Sequence, residues 1–362
     1  MKKLLFVHNT VPEYRIAFWK ELSTLVNLEI LITNKDLADK IYNLKKNSDG
    51  LHIKYWNENI IYTILNYDAV ILPPIETIKD FRIARKIRNK CLELRIPFYY
   101  WSEKWISDEI KRPFVKVVKD YIKTSLIRLA SKDANGYIAS GSKAKIYLKR
   151  YVKVPSELIT VAYDSSTSPI LRKKEDLREK LNLPHNCNLI LFLGRLIPRK
   201  GCNVLIKAVM PYLDKTNSFL IIAGEGSELR RLRKLACSSS RIIFIGKVQP
   251  NYRRNLYEQS NVFVLPSIAM NGVIEAWGLT LNEALECGTP VISTNAVGAA
   301  FDLIDNKNGY LVKNNSVKQL SNVLAKALNK KSFKNRKQIM KDYYSKFSVK
   351  LMSKNFYKAI FG

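Results

Sequence analysis

Histidine, cysteine and long apolar runs are scarce in this sequence of 362 residues. It holds 3 histidines and 5 cysteines, and the cysteines are scattered without a C-x-x-C pair. A dispersed, odd-numbered set of thiols argues against a disulfide framework and a zinc site. No apolar run approaches the roughly 20 residues that a membrane-spanning helix needs. The N-terminal run 1–7 is interrupted before it reaches signal-peptide length, so it predicts a strand. We expect a soluble or peripheral protein of a reducing cytoplasm.

Acidic residues are also few. Against 61 Lys and Arg stand 31 Asp and Glu, which gives a net charge of +30. Such an excess suits an anionic partner, such as nucleic acid, acidic lipid or a phosphorylated ligand. A coding bias toward Lys, Asn and Ile is the alternative partial cause. Because 47% of the residues are hydrophobic and 25% charged, global disorder is excluded and the length suggests two domains.

Short β-branched runs alternate with amphipathic stretches along both halves of the chain. This alternation predicts βα units on parallel sheets, and therefore an α/β fold with two doubly wound domains. The predicted strands are 4–8, 28–33, 69–72, 97–101, 136–140 and 158–162 in the first half, and 188–193, 218–223, 241–245, 261–266, 290–293 and 310–313 in the second.

A polar stretch rich in Ser and Thr, residues 163–169, separates the two halves and predicts a hinge. The first domain is expected over 1–165 and the second over 170–344. Glycine is divided unequally, since three glycines precede the hinge while ten lie from Gly194 to Gly309. Because glycine lets the backbone approach a ligand closely, we expect such contact mainly in the second domain.

A basic loop bounded by glycines, residues 194–201, follows the predicted strand 188–193. The planar fork of Arg195 suits two phosphate oxygens, Lys200 adds a mobile charge, and Gly194 keeps the backbone accessible. The loop lacks the Walker pattern, and an ordinary basic surface loop is the alternative. The turn 224–226 has the form G-x-G but not the third glycine of a dinucleotide fingerprint.

The densest pattern runs from Glu275 to Pro290. Gly278 permits a sharp turn and a helix is predicted to start near Thr280, so its free N–H groups could bind an anion. Glu283 has two interpretations. It is either a ligand-binding carboxylate or the N3 residue of a capping box whose N-cap is Thr280. In a capping box it would only accept a hydrogen bond from a free N–H group of the first helical turn.

Together these segments resemble the retaining GT-B glycosyltransferases of family 4. The resemblance rests on the E-x7-E spacing of Glu275 and Glu283, on the basic loop, and on two later motifs, 296–304 and 308–312, in the family's order. It covers about 188–330. It implies two Rossmann-like domains that face each other across a cleft, with a C-terminal helix, about 345–362, that returns to the first domain.

The resemblance also implies a site for a nucleotide-diphosphate sugar, UDP- or GDP-linked, in the second domain. Arg195 and Lys200 would hold the diphosphate, Glu283 the ribose hydroxyls and Glu275 the donor sugar. No D-x-D motif occurs, so we expect neither a metal ion nor another cofactor. The residues implied for donor binding are Gly194, Arg195, Lys200, Val248, Gly278, Leu279, Thr280 and Glu283.

The first domain departs from the family pattern. Many relatives carry a histidine after the fourth strand, where this chain has Glu103. His8 ends the first predicted strand, at the edge where open sheets bind ligands. The candidates for catalysis are therefore Glu275, Glu103 and His8. The loop 8–15 ends in a P-x-Y-R motif, and Tyr14 and Arg15 are expected on the acceptor side.

Two basic clusters occupy the segments 111–130 and 326–358. The first holds six basic residues and one acid, with apolar residues at helical spacing. It predicts either a membrane-surface helix or a helix that packs its apolar stripe on the core. The apolar stripe consists of Phe114, Val117, Val118, Tyr121, Ile122, Leu126 and Leu129.

These observations predict a retaining, metal-independent glycosyltransferase. It would move a sugar to a lipid-linked or cell-surface glycan acceptor, as a peripheral protein on the inner face of an anionic membrane. A nucleotide-sugar epimerase is the nearest alternative enzyme. A basic nucleic-acid-binding protein is the alternative from another class, but no nucleic-acid-binding module is found in the sequence, so nucleic acid is not expected as a partner.

Overall fold

Two compact units make up the chain. The computed structural model describes residues 1–36, 50–167, 175–328 and 333–362. The first unit comprises residues 1–108, 112–166 and 347–362, and the second comprises 109–111 and 167–346. Residues 168 and 169 of the predicted hinge lie outside the described residues. So do position 170, at which the second domain is expected to begin, and residues 329–332 of the second basic cluster.

A seven-stranded parallel sheet forms the core of the first unit, in the order β3-β2-β1-β4-β5-β6-β7. Its central strands are built from Leu, Ile, Val and aromatic residues because helices cover both faces of a parallel sheet. The edge strand β3 was not predicted, since its sequence alternates polar and apolar residues without a β-branched run. The strands are β1 (Lys3–His8), β2 (Asn27–Ile32), β3 (His52–Tyr55), β4 (Ala69–Leu72), β5 (Phe98–Ser102), β6 (Gly136–Ala139) and β7 (Ile159–Val161).

The last helix of the chain packs in the core of the first unit. Phe356 lies 4.8 Å from Phe18 and 5.4 Å from Trp101, measured between ring centroids. All three rings are buried, so the C-terminal segment contributes to the stability of the N-terminal sheet. The helices of this unit are Glu13–Ser23, Ile78–Leu94, Phe114–Ala130, Ser142–Tyr147 and Val349–Phe361, with shorter turns of helix at Glu58–Asn66, Leu148–Val152 and Ser156–Leu158.

A six-stranded parallel sheet forms the core of the second unit, in the order β10-β9-β8-β11-β12-β13. Its strands are β8 (Asn188–Leu193), β9 (Ser218–Ala223), β10 (Ile242–Gly246), β11 (Val262–Leu265), β12 (Val291–Thr294) and β13 (Gly309–Val312). The helices are Leu177–Lys180, Cys202–Val209, Leu229–Ala236, Pro250–Gln259, Thr280–Glu286, Ala300–Leu303, Val317–Ala327 and Arg336–Lys346, with a 3₁₀ turn at Pro198–Lys200. The predicted α/β class with two doubly wound sheets is confirmed.

Each sheet contains one strand beside which the strand order reverses. β1 lies between β2 and β4, and β8 lies between β9 and β11. In open α/β sheets such a reversal leaves a crevice at the carboxyl ends of the strands, and ligands bind there. The loops that follow β1 and β8 are therefore the first places to look for a site in each unit.

Candidate functional site

Close backbone packing shapes the loop that follows β8. Gly201 has φ +68°, and a Cβ atom there would lie 2.0 Å from the carbonyl oxygen of Pro266. A Cβ atom on Gly224 would lie 1.9 Å from the carbonyl oxygen of Gly194. Only glycine fits at these two positions. The G-x-G turn after β9 thus packs against the basic loop and supports its shape.

Arg195 stands at the carboxyl end of β8 and is exposed. Its guanidinium makes no hydrogen bond or ion pair with the residues that the structure describes. A planar guanidinium presented in this way can bind two oxygens of an anion from solvent. The position is that expected for a phosphate-binding arginine at the crevice of the second sheet.

Glu275 forms ion pairs with two cations. Lys200 donates from Nζ to Oε1 over 2.7 Å, and Arg199 donates from Nη1 to Oε2 over 3.1 Å. The Ser267 hydroxyl adds a hydrogen bond of 3.3 Å to Oε2. Burial alone would raise the pKa of Glu275, but Lys200, Arg199 and Ser267 together lower it below its ordinary value. Glu275 is therefore an ionised, oriented carboxylate.

Glu283 lies in the short helix Thr280–Glu286, which Gly278 precedes with φ +105°. Leu279 is the cap residue and no side chain caps the helix. The capping-box interpretation is therefore wrong. The carboxylate instead accepts a 2.9 Å hydrogen bond from the buried Tyr257 hydroxyl.

Arg253 lies beside the other carboxylate oxygen of Glu283, with Nη1 3.7 Å from Oε1. Burial and the neighbouring Glu283 raise the pKa of Tyr257 well above its ordinary value, so the phenol stays a donor. Together Tyr257 and Arg253 hold the orientation of Glu283. Val248, implied for donor binding, lies in the loop after β10 and is half-buried. That loop and the basic loop lie at the same edge of the second sheet, because all its strands are parallel.

His8 is buried at the end of β1. Its Nδ1 lies 2.8 Å from the carbonyl oxygen of Thr10, and its ring packs edge-on against Trp19 at 5.7 Å. Burial, with the nearby charge of Arg15, lowers the pKa of His8 to about 4. The imidazole is therefore neutral near pH 7, which permits it to accept a proton only under acidic conditions.

Arg15 is buried, with 1% of its side chain exposed. It forms a two-pronged ion pair with Asp164 and a second ion pair with Glu103, and its guanidinium stacks 4.4 Å from the ring of Trp101. Arg15 is expected on the acceptor side, but its guanidinium is not exposed. Asp164, Glu103 and Trp101 enclose it. Tyr14, by contrast, is 43% exposed.

Glu103 shares the guanidinium of Arg15 with Asp164. Its side chain is 31% exposed, while that of Asp164 is 1% exposed. Burial raises the pKa of Glu103, and the negative charge of Asp164 adds to the rise against the opposing effect of Arg15. Glu103 thus follows β5 as a carboxyl group that holds a proton more readily than usual.

The helix Phe114–Ala130, called here the basic helix, turns its apolar stripe outward. Phe114 is 80% exposed, Tyr121 73% and Ile122 53%. Its buried side includes Asp120, which accepts hydrogen bonds from Arg112 and Lys116. Of the two interpretations of this segment, the core-facing one is wrong, because most of the stripe is exposed.

A comparison with known protein families matches most of the second unit. Residues 173–346 match the family described as Glycosyl transferases group 1. This stretch spans nearly all of the second unit. The second unit is therefore similar to this family over most of its length. It contains Arg195, Lys200, Glu275 and Glu283, which the sequence pattern singled out.

Relatives in sequence match this chain over part of their own length. An uncharacterized glycosyltransferase of Methanocaldococcus jannaschii is 32% identical over 144 residues, which is 39% of this chain and 35% of the relative. A GDP-mannose-dependent monoacylated alpha-(1-6)-phosphatidylinositol monomannoside mannosyltransferase of Corynebacterium glutamicum is 30% identical over 159 residues, which is 43% of this chain and 42% of the relative. The chain thus matches less than half of the length of these curated relatives.

The whole chain is similar in fold to a crystal structure of Anabaena Alr3699/HepE in complex with UDP. The TM-score is 0.78 and the identity 16%, with 99% of both chains covered. The likeness establishes the GT-B fold. Within the described ranges, no helix is long and apolar enough to cross a membrane. The same ranges contain no group of three or more His, Cys, Asp or Glu residues that could hold a metal ion.

Several site residues were not predicted from the sequence, among them Arg199, Asp164 and Tyr257. Arg199 precedes Lys200, and only Lys200 was assigned a role. Asp164 lies in the stretch assigned to the hinge, and Tyr257 lies in a helix whose sequence shows no functional motif. The doubled cation at 199–200 was the only signal of the three that a sequence displays directly. The roles of the other two become visible only when the fold brings Asp164 to Arg15 and Tyr257 to Glu283.

Proposed function

We propose that this chain transfers a sugar from a nucleotide-diphosphate donor, UDP- or GDP-linked, to a glycan acceptor, with retention of configuration and without a metal ion. One observation carries the proposal most directly. An exposed Arg195 and a Lys200 paired with Glu275 lie in the loop after β8, within the residues that match the glycosyl transferases group 1 family. Cations in this loop suit the diphosphate that such a reaction releases.

The chemistry assigns a task to each group. Departure of a nucleoside diphosphate concentrates negative charge on its oxygens, and Arg195 and Lys200 lower the barrier by stabilising that charge. Glu283, oriented by Tyr257, accepts hydrogen bonds from the ribose hydroxyls. Glu275 contacts the donor sugar as an ionised carboxylate. Leu279 and Thr280 add backbone N–H groups next to the diphosphate.

The first unit supplies the acceptor side in this proposal. Glu103 is the group nearest to the family's histidine position in the chain, and its 31% exposed side chain leaves part of it available to a substrate. A carboxyl with a raised pKa can hold or release a proton near the reacting hydroxyl. The exposed Tyr14 contacts the acceptor, while Arg15 acts from within by holding Glu103. His8 stays a weaker candidate for catalysis.

The acceptor we propose is lipid-linked or part of a cell-surface glycan, reached from the cytoplasmic face of a membrane. The mannosyltransferase of Corynebacterium glutamicum carries a phosphatidylinositol mannoside in its name. In this chain the exposed rings of Phe114 and Tyr121 lie on the same helix as the exposed Lys119. Apolar side chains flanked by cations suit an anionic bilayer surface.

Electrostatics alone gives weak attachment. The segment 111–130 has a net charge of 6 − 1 = +5, but Arg112 and Lys116 are already bound to Asp120. At about 1 kcal/mol for each available basic residue near an acidic surface, apolar insertion must supply much of the affinity. Each inserted ring adds roughly 1.5 kcal/mol or more.

A vesicle experiment tests the membrane part. The double variant Phe114→Ser/Tyr121→Ser should lose at least about tenfold in partitioning to phosphatidylglycerol vesicles. The matched control is Tyr357→Ser, which removes a 37% exposed tyrosine from the last helix. Equal recovery of the native protein on neutral and anionic vesicles would contradict an anionic membrane partner.

A ligand screen tests the donor part. A nucleotide sugar at about 100 times its Kd should stabilise the protein by about 2.7 kcal/mol, seen as a rise in the unfolding temperature. UDP-, GDP- and ADP-sugars are compared side by side. Donor consumption without any acceptor would favour the epimerase alternative. Saturable nucleic-acid binding without any nucleotide-sugar binding would favour the alternative of another class.

A further inference from the structure

Two cations serve one carboxylate in the second unit. Lys200 holds Oε1 of Glu275, while Arg199 and Ser267 hold Oε2. The exposed fractions of the Arg199, Lys200 and Glu275 side chains are 23%, 12% and 14%, so the cluster is largely shielded from water. One of these cations would suffice to neutralise Glu275. The role of the second cation is therefore not charge neutralisation alone.

Lys200 has a competing task under the proposed function, on which this inference rests. A bound diphosphate attracts the flexible Lys200 ammonium away from Glu275, at least in part. A buried carboxylate that lost its only cation would lose its orientation, and its pKa would rise. Arg199 prevents this outcome because its contact is made to the other carboxylate oxygen.

We propose that Arg199 is a positioning residue for the donor-sugar site. It holds Oε2 of Glu275, so that the carboxylate keeps its place and its charge while Lys200 binds the diphosphate. A planar guanidinium suits this task better than a second lysine, since its geometry is fixed and its charge is permanent.

The backbone around the cluster is held independently of the ion pairs. The carbonyl of Arg199 accepts a 2.9 Å hydrogen bond from the N–H of Ile268. The N–H of Glu275 donates to the carbonyl of Ala296 over 2.9 Å, and the carbonyl of Glu275 accepts from the N–H of Gly298 over 3.2 Å. Both loops therefore keep their course without the Arg199 side chain, and its removal should act locally.

The test compares Arg199→Ala and Arg199→Lys with Arg195→Ala. Calorimetric titration gives the Kd of UDP and GDP, and separate assays give the affinity and turnover of UDP-glucose and GDP-mannose. Arg199→Ala should leave nucleoside diphosphate affinity within about twofold and lower donor turnover about tenfold to a hundredfold, as expected for a misplaced reacting group. Arg199→Lys should recover part of the loss. Arg195→Ala should weaken nucleotide and donor alike.

A double variant separates positioning from general damage. In a Glu275→Gln background, Arg199→Ala should cost almost nothing further, because the pair is already broken. Equal losses for nucleoside diphosphate and donor in Arg199→Ala would make Arg199 a diphosphate ligand and overturn the proposal. Unchanged donor turnover would overturn it too. A native protein that binds neither UDP nor GDP would refute the proposed function itself, and this inference with it.

Discussion

Glu275 in the second unit and Glu103 in the first differ in the balance of charge around them. Glu275 pairs with two cations, Lys200 and Arg199, whereas Glu103 shares the guanidinium of Arg15 with a second carboxylate, Asp164. The surplus of positive charge lowers the pKa of Glu275, while burial and the surplus of negative charge raise that of Glu103. One residue type thus becomes a fixed anion in one unit and a carboxyl that readily holds a proton in the other.

The comparison teaches which neighbours matter for each role. A carboxylate that must stay ionised near a bound diphosphate needs more than one cation, because the diphosphate competes for the same cations. A group that exchanges protons needs the opposite arrangement, in which its charged form is only partly compensated. Each prediction below changes one side of this comparison, in order of decreasing effect.

Removal of Arg15 should have the largest effect, because it breaks the buried ion pairs of this guanidinium with Glu103 and Asp164. Arg15→Met should cost the first unit about 3–5 kcal/mol of unfolding free energy, as expected when one partner of a buried ion pair is lost. Urea unfolding measures this cost. The matched control is Arg150→Met, whose pair with Asp108 is 61% exposed on both sides and should contribute about 1 kcal/mol or less.

Loss of a cation in the second unit should act on binding and leave folding intact. Arg195→Ala or Lys200→Ala should weaken both nucleoside diphosphate and nucleotide sugar by about 2–5 kcal/mol, through the lost contacts to phosphate. Titration calorimetry measures each affinity. The control is Arg231→Ala, which removes an exposed arginine paired with Glu228 on the helix Leu229–Ala236. Unchanged nucleotide affinity in both variants would remove the diphosphate from this loop.

The smallest effects should be opposite pH dependences of stability. Glu275 has a lowered pKa, so it stabilises the fold above its unfolded pKa, and this contribution is lost as pH falls through the lower folded value. The destabilisation caused by Glu275→Gln should therefore shrink in acid. Glu103 has a raised pKa, so the native protein loses stability as pH rises above the unfolded pKa of that group.

Glu103→Gln should remove this loss of stability, and the variant should gain on the native protein as pH increases. Unfolding free energies measured across the acidic range for the native protein and both variants provide the check. Parallel pH curves for the two variants would show that the two carboxyls have the same surroundings in solution. Such a result would contradict the comparison on which the assignment of roles rests.

Much of the architecture could be predicted because parallel strands are buried on both faces. The runs 69–72, 188–193 and 218–223 consist mainly of apolar residues, and their bounds agree with β4, β8 and β9. The strand β3 could not be found in this way, since an edge strand needs no apolar run.

The stripe of the basic helix has the spacing of a core-facing helix, yet Phe114 and Tyr121 are exposed. Periodicity reports that a stripe exists and does not report what covers it.

The amino-acid sequence by itself determined every described strand but β3, the basic loop with Arg195 and Lys200, and the spacing of Glu275 and Glu283. These features are local, because each depends on residues within one turn or one βα unit. Only the tertiary structure decided the charge state of the carboxyls. Arg15 meets Asp164 across 149 positions of sequence, and Arg199 meets Glu275 across 76. A pKa depends on burial and on charges a few ångströms away, and folding alone brings those charges together.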